Sequence, residues 1–218
     1  MHFWHLVTRF GESTYLLPSA LLIALWLCYR RAPDSALRWL LAIGLAAGLT
    51  LASKLAFMGW GVGIESLDFT GFSGHSVMSA ATLPVLFYLC TPSSSPRLAH
   101  AGTVLGIALA LLIGVSRLAV HAHSVSEVLG GLALGLGASL VFLAWPGRAA
   151  LPRSVVPLAA ALAAFTALHT LPVPALGGAT HRWVESVAVY LSGRDRPFHR
   201  GEWRAFAADV LPLPAAPA

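Results

Sequence analysis

Charged side chains are scarce in this chain. They make up 11% of its 218 residues, whereas 57% of the residues are hydrophobic. Soluble globular proteins carry about a quarter charged residues, so the composition excludes an ordinary soluble domain and predicts an integral membrane protein. The formal charge is +5, but many of the arginines lie in short loops between apolar runs, where they orient a membrane protein. We therefore expect membrane lipids, and no nucleic acid, as partners.

Cysteine and lysine are almost absent as well. Cys28 and Cys90 each lie near an end of an apolar run that is predicted to face the reducing cytoplasm. No disulfide is expected there, and both residues are interpreted as small packing residues. The single lysine, Lys54, lies near the end of another apolar run. Its isolation makes it a candidate for a specific role.

Six apolar runs approach the roughly 20 residues that a membrane helix needs. They span residues 13–29, 36–57, 73–90, 98–115, 124–145 and 154–171. The predicted fold is therefore all-α, an integral membrane six-transmembrane-helix bundle formed by residues 1–171. Residues 172–218 are more polar and are predicted to form an external C-terminal tail. This tail is either amphipathic and bound to the membrane surface or an ordinary polar terminus.

The charges of the loops predict the orientation. The loops after the first, third and fifth runs are rich in arginine, whereas the loop after the second has Glu65 and Asp68 and no basic residue. Arginine-rich loops remain in the cytoplasm, so both termini are expected outside. Short loops and an alanine- and leucine-rich composition favour a bacterial inner (plasma) membrane. We expect a multi-pass protein whose site faces the periplasm or outside.

Arg117, His123 and Glu127 form a group of polar residues that would be costly in a bilayer without a function. On a helix, His123 and Glu127 share a face because they are four residues apart, so the carboxylate can hydrogen-bond one imidazole nitrogen. The other nitrogen then stays unprotonated, as an activated nucleophile requires. Arg117 is a planar cation suited to phosphate oxygens. The pattern indicates phosphoryl transfer.

A second histidine motif, Ser73-Gly74-His75, opens the third apolar run. The predicted topology brings this motif, Lys54 and the Arg117–Glu127 group to the same external face. Segments assigned from hydropathy alone had no reason to bring all three together, so their convergence favours one site.

Two motifs resemble signatures of the type 2 phosphatidic acid phosphatase superfamily. One lies between the fourth and fifth runs and reaches into the fifth, and the other opens the third run. Ser116-Arg117, then five residues, His123, then three residues and an acid, resembles the third signature, with Glu127 where aspartate is usual. Ser73-Gly74-His75 resembles the second signature, with Phe72 in place of proline. The resemblance in segment order covers about residues 36–145.

The first signature of that family is only half present. It consists of a lysine, six residues and then Arg-Pro; Lys54 matches the lysine, but Gly61-Val62 stands at the Arg-Pro position. We hypothesise that an arginine of the tail supplies the missing cation to the phosphate. The candidates are Arg182, Arg194, Arg196, Arg200 and Arg204.

The resemblance implies catalytic roles. His123 attacks phosphorus and forms a phosphohistidine, Glu127 orients and stabilises His123, and His75 protonates the leaving oxygen and then activates water. Cations and polar groups of the second signature hold the phosphate oxygens. These groups are Lys54, Arg117, Ser73 and the backbone amides of Gly74 and His75. The family needs no metal, and no cofactor is expected.

Other interpretations of the same residues stay open. His121 competes with His123 as nucleophile, although its six-residue distance from Glu127 turns it to another helix face. His75, His121 and His123 could hold zinc by residue type, with Lys54 and Arg117 as repelling neighbours. Each of these two cations alone could also be a snorkelling anchor at the membrane interface.

Together with these residues, the resemblance implies a metal-independent lipid phosphatase that hydrolyses a lipid phosphate or diphosphate, first of all undecaprenyl diphosphate. Phosphatidic acid, phosphatidylglycerol phosphate and lipid A phosphates are further candidates. A lipid phosphotransferase would use the same phosphohistidine. A non-catalytic membrane transporter or binding protein is the alternative from another class. The oligomeric state is not predicted.

Overall fold

The computed structural model describes residues 2–92, 94–145, 151–170 and 179–203, and these residues are all-helical as predicted. The helices are α1 (His2–Arg9), α2 (Ser13–Tyr29), α3 (Pro33–Trp60), α4 (Gly74–Leu89), α5 (Pro96–Ala119), α6 (Val125–Ala144), α7 (Val156–Thr170) and α8 (Ala179–Ser192). The six apolar runs correspond to α2–α7. Between α3 and α4 a 3₁₀ turn, Glu65–Leu67, lies in an otherwise irregular connection in which Ile64 and Phe69 form an isolated antiparallel bridge.

Four helical stretches among the described residues are long and apolar enough to cross a membrane: α1 with α2, α3, α5 and α6. α4 is apolar but has 16 residues, and α7 has 15. Many leucines of the long helices are exposed, such as Leu21, Leu25 and Leu45, as expected of side chains that face lipid. The chain is a multi-pass membrane bundle, and the number of six crossings stays a prediction.

Part of the predicted domain boundary lies outside the described residues. The sixth run was predicted to end at residue 171, and the tail to begin at residue 172. Residues 171–178 and 204–218 are not described, nor is Arg204 among the tail arginines. Neither Cys28 nor Cys90 takes part in a disulfide within the described part of the chain.

α4 is the central helix, and glycines of its neighbours let their backbones approach it closely. A Cβ atom built on Gly135 of α6 would lie 2.2 Å from the carbonyl oxygen of Val77. One built on Gly106 of α5 would lie 2.6 Å from the carbonyl oxygen of Leu83. Small residues replace side-chain bulk with backbone contact in membrane bundles. α4 is therefore held at close range by α5 and α6.

Larger side chains pack the end of the bundle where α3 begins and α6 finishes. Trp39 of α3 is fully buried, and its indole Nε1 donates to the carbonyl oxygen of Ala20 in α2 at 2.8 Å. Its ring meets Phe142 of α6 edge-on at a centroid distance of 5.4 Å. These contacts fix α2, α3 and α6 relative to one another. A cavity lies at the opposite ends of these three helices.

Candidate active site

A cavity of about 570 Å³ opens at the end of the bundle where α3 and α5 finish and α4 and α6 begin. The predicted site residues that line it are Lys54, Gly74, His75, Arg117, His123 and Glu127. The structure thus brings together residues that are up to 73 positions apart in the chain. Ser73 is the one predicted site residue that does not line the cavity.

The hydrogen bond expected between His123 and Glu127 is present: His123 Nδ1 lies 2.7 Å from Glu127 Oε2. The prediction that His123 and Glu127 share a helix face was wrong, because His123 precedes the first residue of α6. Ser124 is the N-cap of this helix, and its hydroxyl accepts from the Glu127 amide while its own amide donates to the Glu127 carboxylate at 3.2 Å. The capping box therefore holds the acid at the helix start. The carboxylate reaches back to His123 from there.

Glu127 is fully buried, and its second oxygen is also occupied. Oε1 accepts from the Thr70 amide at 2.8 Å, from the Thr70 hydroxyl, and from Arg200 Nη2 at 2.8 Å. Charge-assisted hydrogen bonds of this kind are strong. Nothing in the sequence singled out Thr70, because a threonine in a glycine-rich loop carries no signal.

The pKa of His123 is lowered, above all because the side chain is buried away from water. The hydrogen bond that His123 Nδ1 donates to the Glu127 carboxylate opposes this effect, and the nearby cations Lys54 and Arg117 add to it. His123 is consequently neutral at pH 7. Its Nδ1 is engaged by Glu127, so Nε2 is the ring nitrogen left to react with a molecule in the cavity.

Arg117 lies in the last turn of α5. Its Nη1 donates to the hydroxyl of Thr8 in α1 at 2.6 Å. Glu12, which lines the same cavity, attracts the guanidinium electrostatically. These partners turn Arg117 into the cavity instead of toward the membrane surface. The sequence could not reveal Thr8, which is 109 residues away.

Lys54 faces the start of α4. Gly71, with φ of +143°, allows the connecting loop to approach α3 closely, and a Cβ atom on it would lie 3.2 Å from the Lys54 backbone nitrogen. The Phe72 amide donates to Ser53 Oγ at 3.1 Å and closes this contact. Lys54 Nζ lies 3.8 Å from the Cβ position of Gly74. The ammonium group thus adds to the positive end of the α4 dipole.

His75 and Ser73 differ in orientation although they belong to one motif. His75 lines the cavity from the first turn of α4, close to the α1–α2 break at Gly11. Ser73 is fully buried; its hydroxyl accepts from Ser76 Oγ at 3.0 Å, and its amide donates to the Glu127 carbonyl at 3.1 Å. Packing against α6 turns Ser73 away from the cavity. A direct phosphate contact by Ser73 therefore has no geometric support and stays only a prediction.

His121 does not line the cavity. It is exposed and has φ of +54°, at the turn that follows α5. No group of three His, Cys, Asp or Glu side chains within the described part of the chain is arranged to hold a metal ion. The zinc site considered for His75, His121 and His123 is thus not formed, because the turn points His121 away.

The C-terminal segment, residues 179–203, closes one side of the cavity. His181 and Glu185 of α8 pair at 3.2 Å and line the cavity together with His199. The sequence assigned these histidines no role. Of the tail arginines within the described residues, Arg200 is the one that lines the cavity. Arg194 and Arg196 instead pair with Glu202.

Sequence comparisons show which known proteins this chain is similar to. Residues 60–150 match the family model described as PAP2 superfamily. An uncharacterized 22.5 kDa protein in the cps region of Klebsiella pneumoniae is 46% identical over 153 residues, which cover 70% of this chain and 73% of that protein. Phosphatidylglycerophosphatase B of Bacillus subtilis is 30% identical over 136 residues, or 60% and 67% of the two chains. No solved structure matches significantly. From its signatures and these similarities, this chain belongs to the PAP2 superfamily of membrane phosphatases.

Proposed function

We propose that this protein is a metal-independent lipid phosphatase that hydrolyses a lipid phosphate or diphosphate at the external membrane face through a phosphohistidine. The observation that carries the proposal is the His123–Glu127 pair, 2.7 Å apart, in a cavity that Lys54, Arg117 and His75 also line. A site that only bound or transported phosphate would need the cations. It would have no use for a nucleophile held by a buried acid.

In the first step, Nε2 of neutral His123 attacks phosphorus, and a P–N bond forms. The bond between phosphorus and the lipid oxygen breaks, its electron pair moves to that oxygen, and protonated His75 donates a proton to it. A bound phosphate dianion favours the protonated state of His75, because an opposite charge stabilises the imidazolium. Glu127 stabilises the positive charge that develops on His123.

In the second step, His75 is the base. It takes a proton from water while the water oxygen attacks phosphorus, and the P–N bond breaks to release inorganic phosphate and neutral His123. Lys54, Arg117 and the amides at the start of α4 compensate the charge on the equatorial oxygens in both steps. Donors fixed in advance in this way are the main source of rate enhancement in phosphoryl transfer.

We propose a polyprenyl diphosphate, undecaprenyl diphosphate, as the first substrate to test. The cavity is large enough for two phosphate groups, and His181 and His199 also line it. The similarity to a phosphatidylglycerophosphatase makes phosphatidylglycerol phosphate the principal competitor.

The test is phosphate release by purified protein from a panel of lipids in detergent. The panel contains undecaprenyl diphosphate, phosphatidylglycerol phosphate, phosphatidic acid and lipid A. We expect kcat/KM to be highest for undecaprenyl diphosphate. Turnover of phosphatidylglycerol phosphate alone would contradict the substrate and leave the phosphatase intact. Transfer of labelled phosphate to a lipid acceptor in place of water would identify a phosphotransferase. Absence of turnover with every lipid would overturn the enzyme proposal.

Vanadate and EDTA should have opposite effects on the same assay. Vanadate adopts the geometry of a transferring phosphoryl group, so we expect it to inhibit in competition with the lipid. EDTA should leave the rate unchanged, because the proposed electrophilic groups are side chains and backbone amides. Inhibition by EDTA that zinc reverses would contradict the metal-independent mechanism.

We also propose that the cavity faces the periplasm of a bacterial inner membrane. Ser66 and Ser94 are exposed and lie in connections at opposite ends of the bundle. In a variant without Cys28 and Cys90, Ser66→Cys should react with a membrane-impermeant thiol reagent in intact cells, and Ser94→Cys should react only after lysis. The reverse pattern would assign the site to the cytoplasmic leaflet.

A further inference from the structure

The C-terminal segment is anchored on the end of α3 next to the active site. A Cβ atom on Gly59 would lie 3.4 Å from Ser192 Cβ, which shows how closely α8 approaches α3. The Phe198 amide donates to the Met58 carbonyl at 2.7 Å. The Phe57 ring meets the Phe198 ring at 5.4 Å. This segment is therefore packed by aromatic and backbone contacts that fix residues 198–203 over the cavity.

The same anchoring occupies the place of the missing Arg-Pro. Gly61 has φ of +70°, and a Cβ atom there would lie 3.2 Å from the Phe198 ring; the Gly61 carbonyl accepts from Trp203 Nε1 at 3.3 Å. The Val62 amide donates to the Ala56 carbonyl at 3.1 Å, a bond that proline could not make. An arginine at position 61 would be strained at this φ and would crowd the Phe198 ring, and a proline at position 62 would remove a hydrogen bond that ends α3.

Docking brings Arg200 between two acids. Its Nη1 donates to Asp68 Oδ2 at 2.6 Å and its Nη2 to Glu127 Oε1 at 2.8 Å, with the Thr70 hydroxyl at 3.4 Å from Nη2. The side chain of Glu127 is 1% exposed and that of Arg200 is 37% exposed. A buried carboxylate without its charged partner would be strongly destabilised. Arg200 therefore contributes to keeping Glu127 ionised and in place.

The two oxygens of Glu127 have separate tasks. Oε2 holds His123 and the Ser124 amide, whereas Oε1 holds Thr70 and Arg200. One carboxylate thus links the C-terminal segment to the ring of the proposed nucleophile. Losing a donor on Oε1 would let the carboxylate rotate and take His123 Nδ1 with it.

We propose that Arg200 is a positioning residue of this site, which acts on His123 through Glu127 and makes the C-terminal segment part of the active site. The proposal rests on the proposed phosphatase function. It differs from the sequence hypothesis of a tail arginine that binds the phosphate directly, because the guanidinium of Arg200 is engaged by carboxylates. Arg200 brings an additional cation to the site from another part of the chain, and its partners are the carboxylates of Asp68 and Glu127.

Loss of Arg200 has an electrostatic consequence that a purely structural role would not have. Glu127 would be less neutralised, and the imidazolium form of His123 would be favoured. The other charged or titratable groups that face His123 or share its cavity are unchanged by this substitution. They are Lys54 from α3, His75 from α4, Arg117 from α5, Glu12 from the α1–α2 break, His181 and Glu185 from α8, and His199 from the segment after α8. The pKa of His123 should therefore rise.

The experiment compares Arg200→Gln, Arg200→Lys and Arg182→Gln in the full chain. Arg182 is exposed on α8 and does not line the cavity, so it controls for charge on the segment. For Arg200→Gln we expect kcat to fall about 100-fold, as for a catalytic group displaced by roughly 1 Å. KM should change little, and the acid limb of kcat/KM should move up by about half a pH unit to one unit. Lysine should restore part of kcat and of the pH profile.

Two outcomes of that comparison would overturn the proposal. One is an Arg200→Gln enzyme that behaves like Arg182→Gln. The other is a variant in which KM rises while kcat and the acid limb stay constant, which would indicate a direct phosphate contact. The double variant Arg200→Gln, Glu127→Gln should be no slower than Glu127→Gln alone. Additive losses would show that Arg200 does not act through Glu127.

A measurement without turnover separates this proposal from the phosphatase proposal. Diethyl pyrocarbonate modifies neutral imidazole, so the rate of His123 modification against pH, followed by mass spectrometry, reports its pKa in each variant. We expect the Arg200→Gln midpoint above that of the wild type, and Arg182→Gln at the wild-type value. Coincident midpoints in all three proteins would overturn the role of Arg200 even where no lipid is hydrolysed. A shifted midpoint in a protein without lipid turnover would contradict only the phosphatase proposal.

Discussion

Replacing His123 with alanine should lower kcat/KM for the lipid substrate by about 10⁴-fold or more, the scale seen when a nucleophile is removed from a catalytic unit. The loss should appear in kcat, because the first bond to phosphorus cannot form. Lys54 and Arg117 still line the cavity in this variant, so the protein should continue to bind vanadate or phosphate. Phosphate release and equilibrium binding of the inhibitor, measured on the same preparation, test both expectations.

His121 provides the matched control. It is a neighbouring histidine that is exposed and lies outside the cavity. Asparagine tolerates its φ of +54° better than alanine, so His121→Asn should keep most of the activity. If His121→Asn were inactive and His123→Ala active, the nucleophile would be His121. Labelled substrate, quenched in alkali, should leave phosphate on His123 in the wild type.

Replacing His75 with glutamine should slow lipid hydrolysis by about 10²–10⁴-fold, the contribution of a positioned general acid and base. The loss should depend on the leaving group. p-Nitrophenolate departs without a proton, so the first step with p-nitrophenyl phosphate should be affected much less. The second step still lacks its base. The variant should therefore release about one p-nitrophenol per active site in a burst and then turn over slowly.

Quenched-flow measurement of p-nitrophenol tests this directly. The wild type should show no comparable burst, because His75 as the base keeps the second step fast. His123→Ala serves as the negative control, since without the nucleophile no phosphoenzyme forms. Equal losses with lipid and aryl phosphate, and no burst, would show that His75 acts only in binding or folding.

The sequence predicted the positions of the helices because each apolar run enters the lipid through its own residues. The run predicted at residues 13–29 coincides with α2, Ser13–Tyr29. The run at residues 36–57 lies inside α3, Pro33–Trp60, which extends by three residues at each end. A proline at N1 and a glycine after the last turn set those ends, and hydropathy does not detect them. The transfer of each run into lipid depends on its own residues alone, so no distant partner has to be known.

The composition of the site also followed largely from the sequence, whereas its internal contacts did not. Lys54, His75, Arg117, His123 and Glu127 share one cavity, as the order of the motifs and the alternation of the helices predicted. Helices that cross in alternating directions bring every second connection to the same face. The sequence therefore determined which groups meet.

Tertiary structure alone decided how these groups are held. The Ser73 amide donates to the Glu127 carbonyl of α6, and the Ser73 hydroxyl accepts from Ser76, so that Ser73 is buried beside the cavity. Arg117 bonds to Thr8 across 109 residues, and Glu127 bonds to Arg200 across 73 residues. Such partners are selected by the folded positions of several helices at once, and no local pattern encodes them. The sequence determined a membrane bundle with two histidines, an acid and two cations at one end, and only the fold decided that Arg200 of the C-terminal segment contacts that acid.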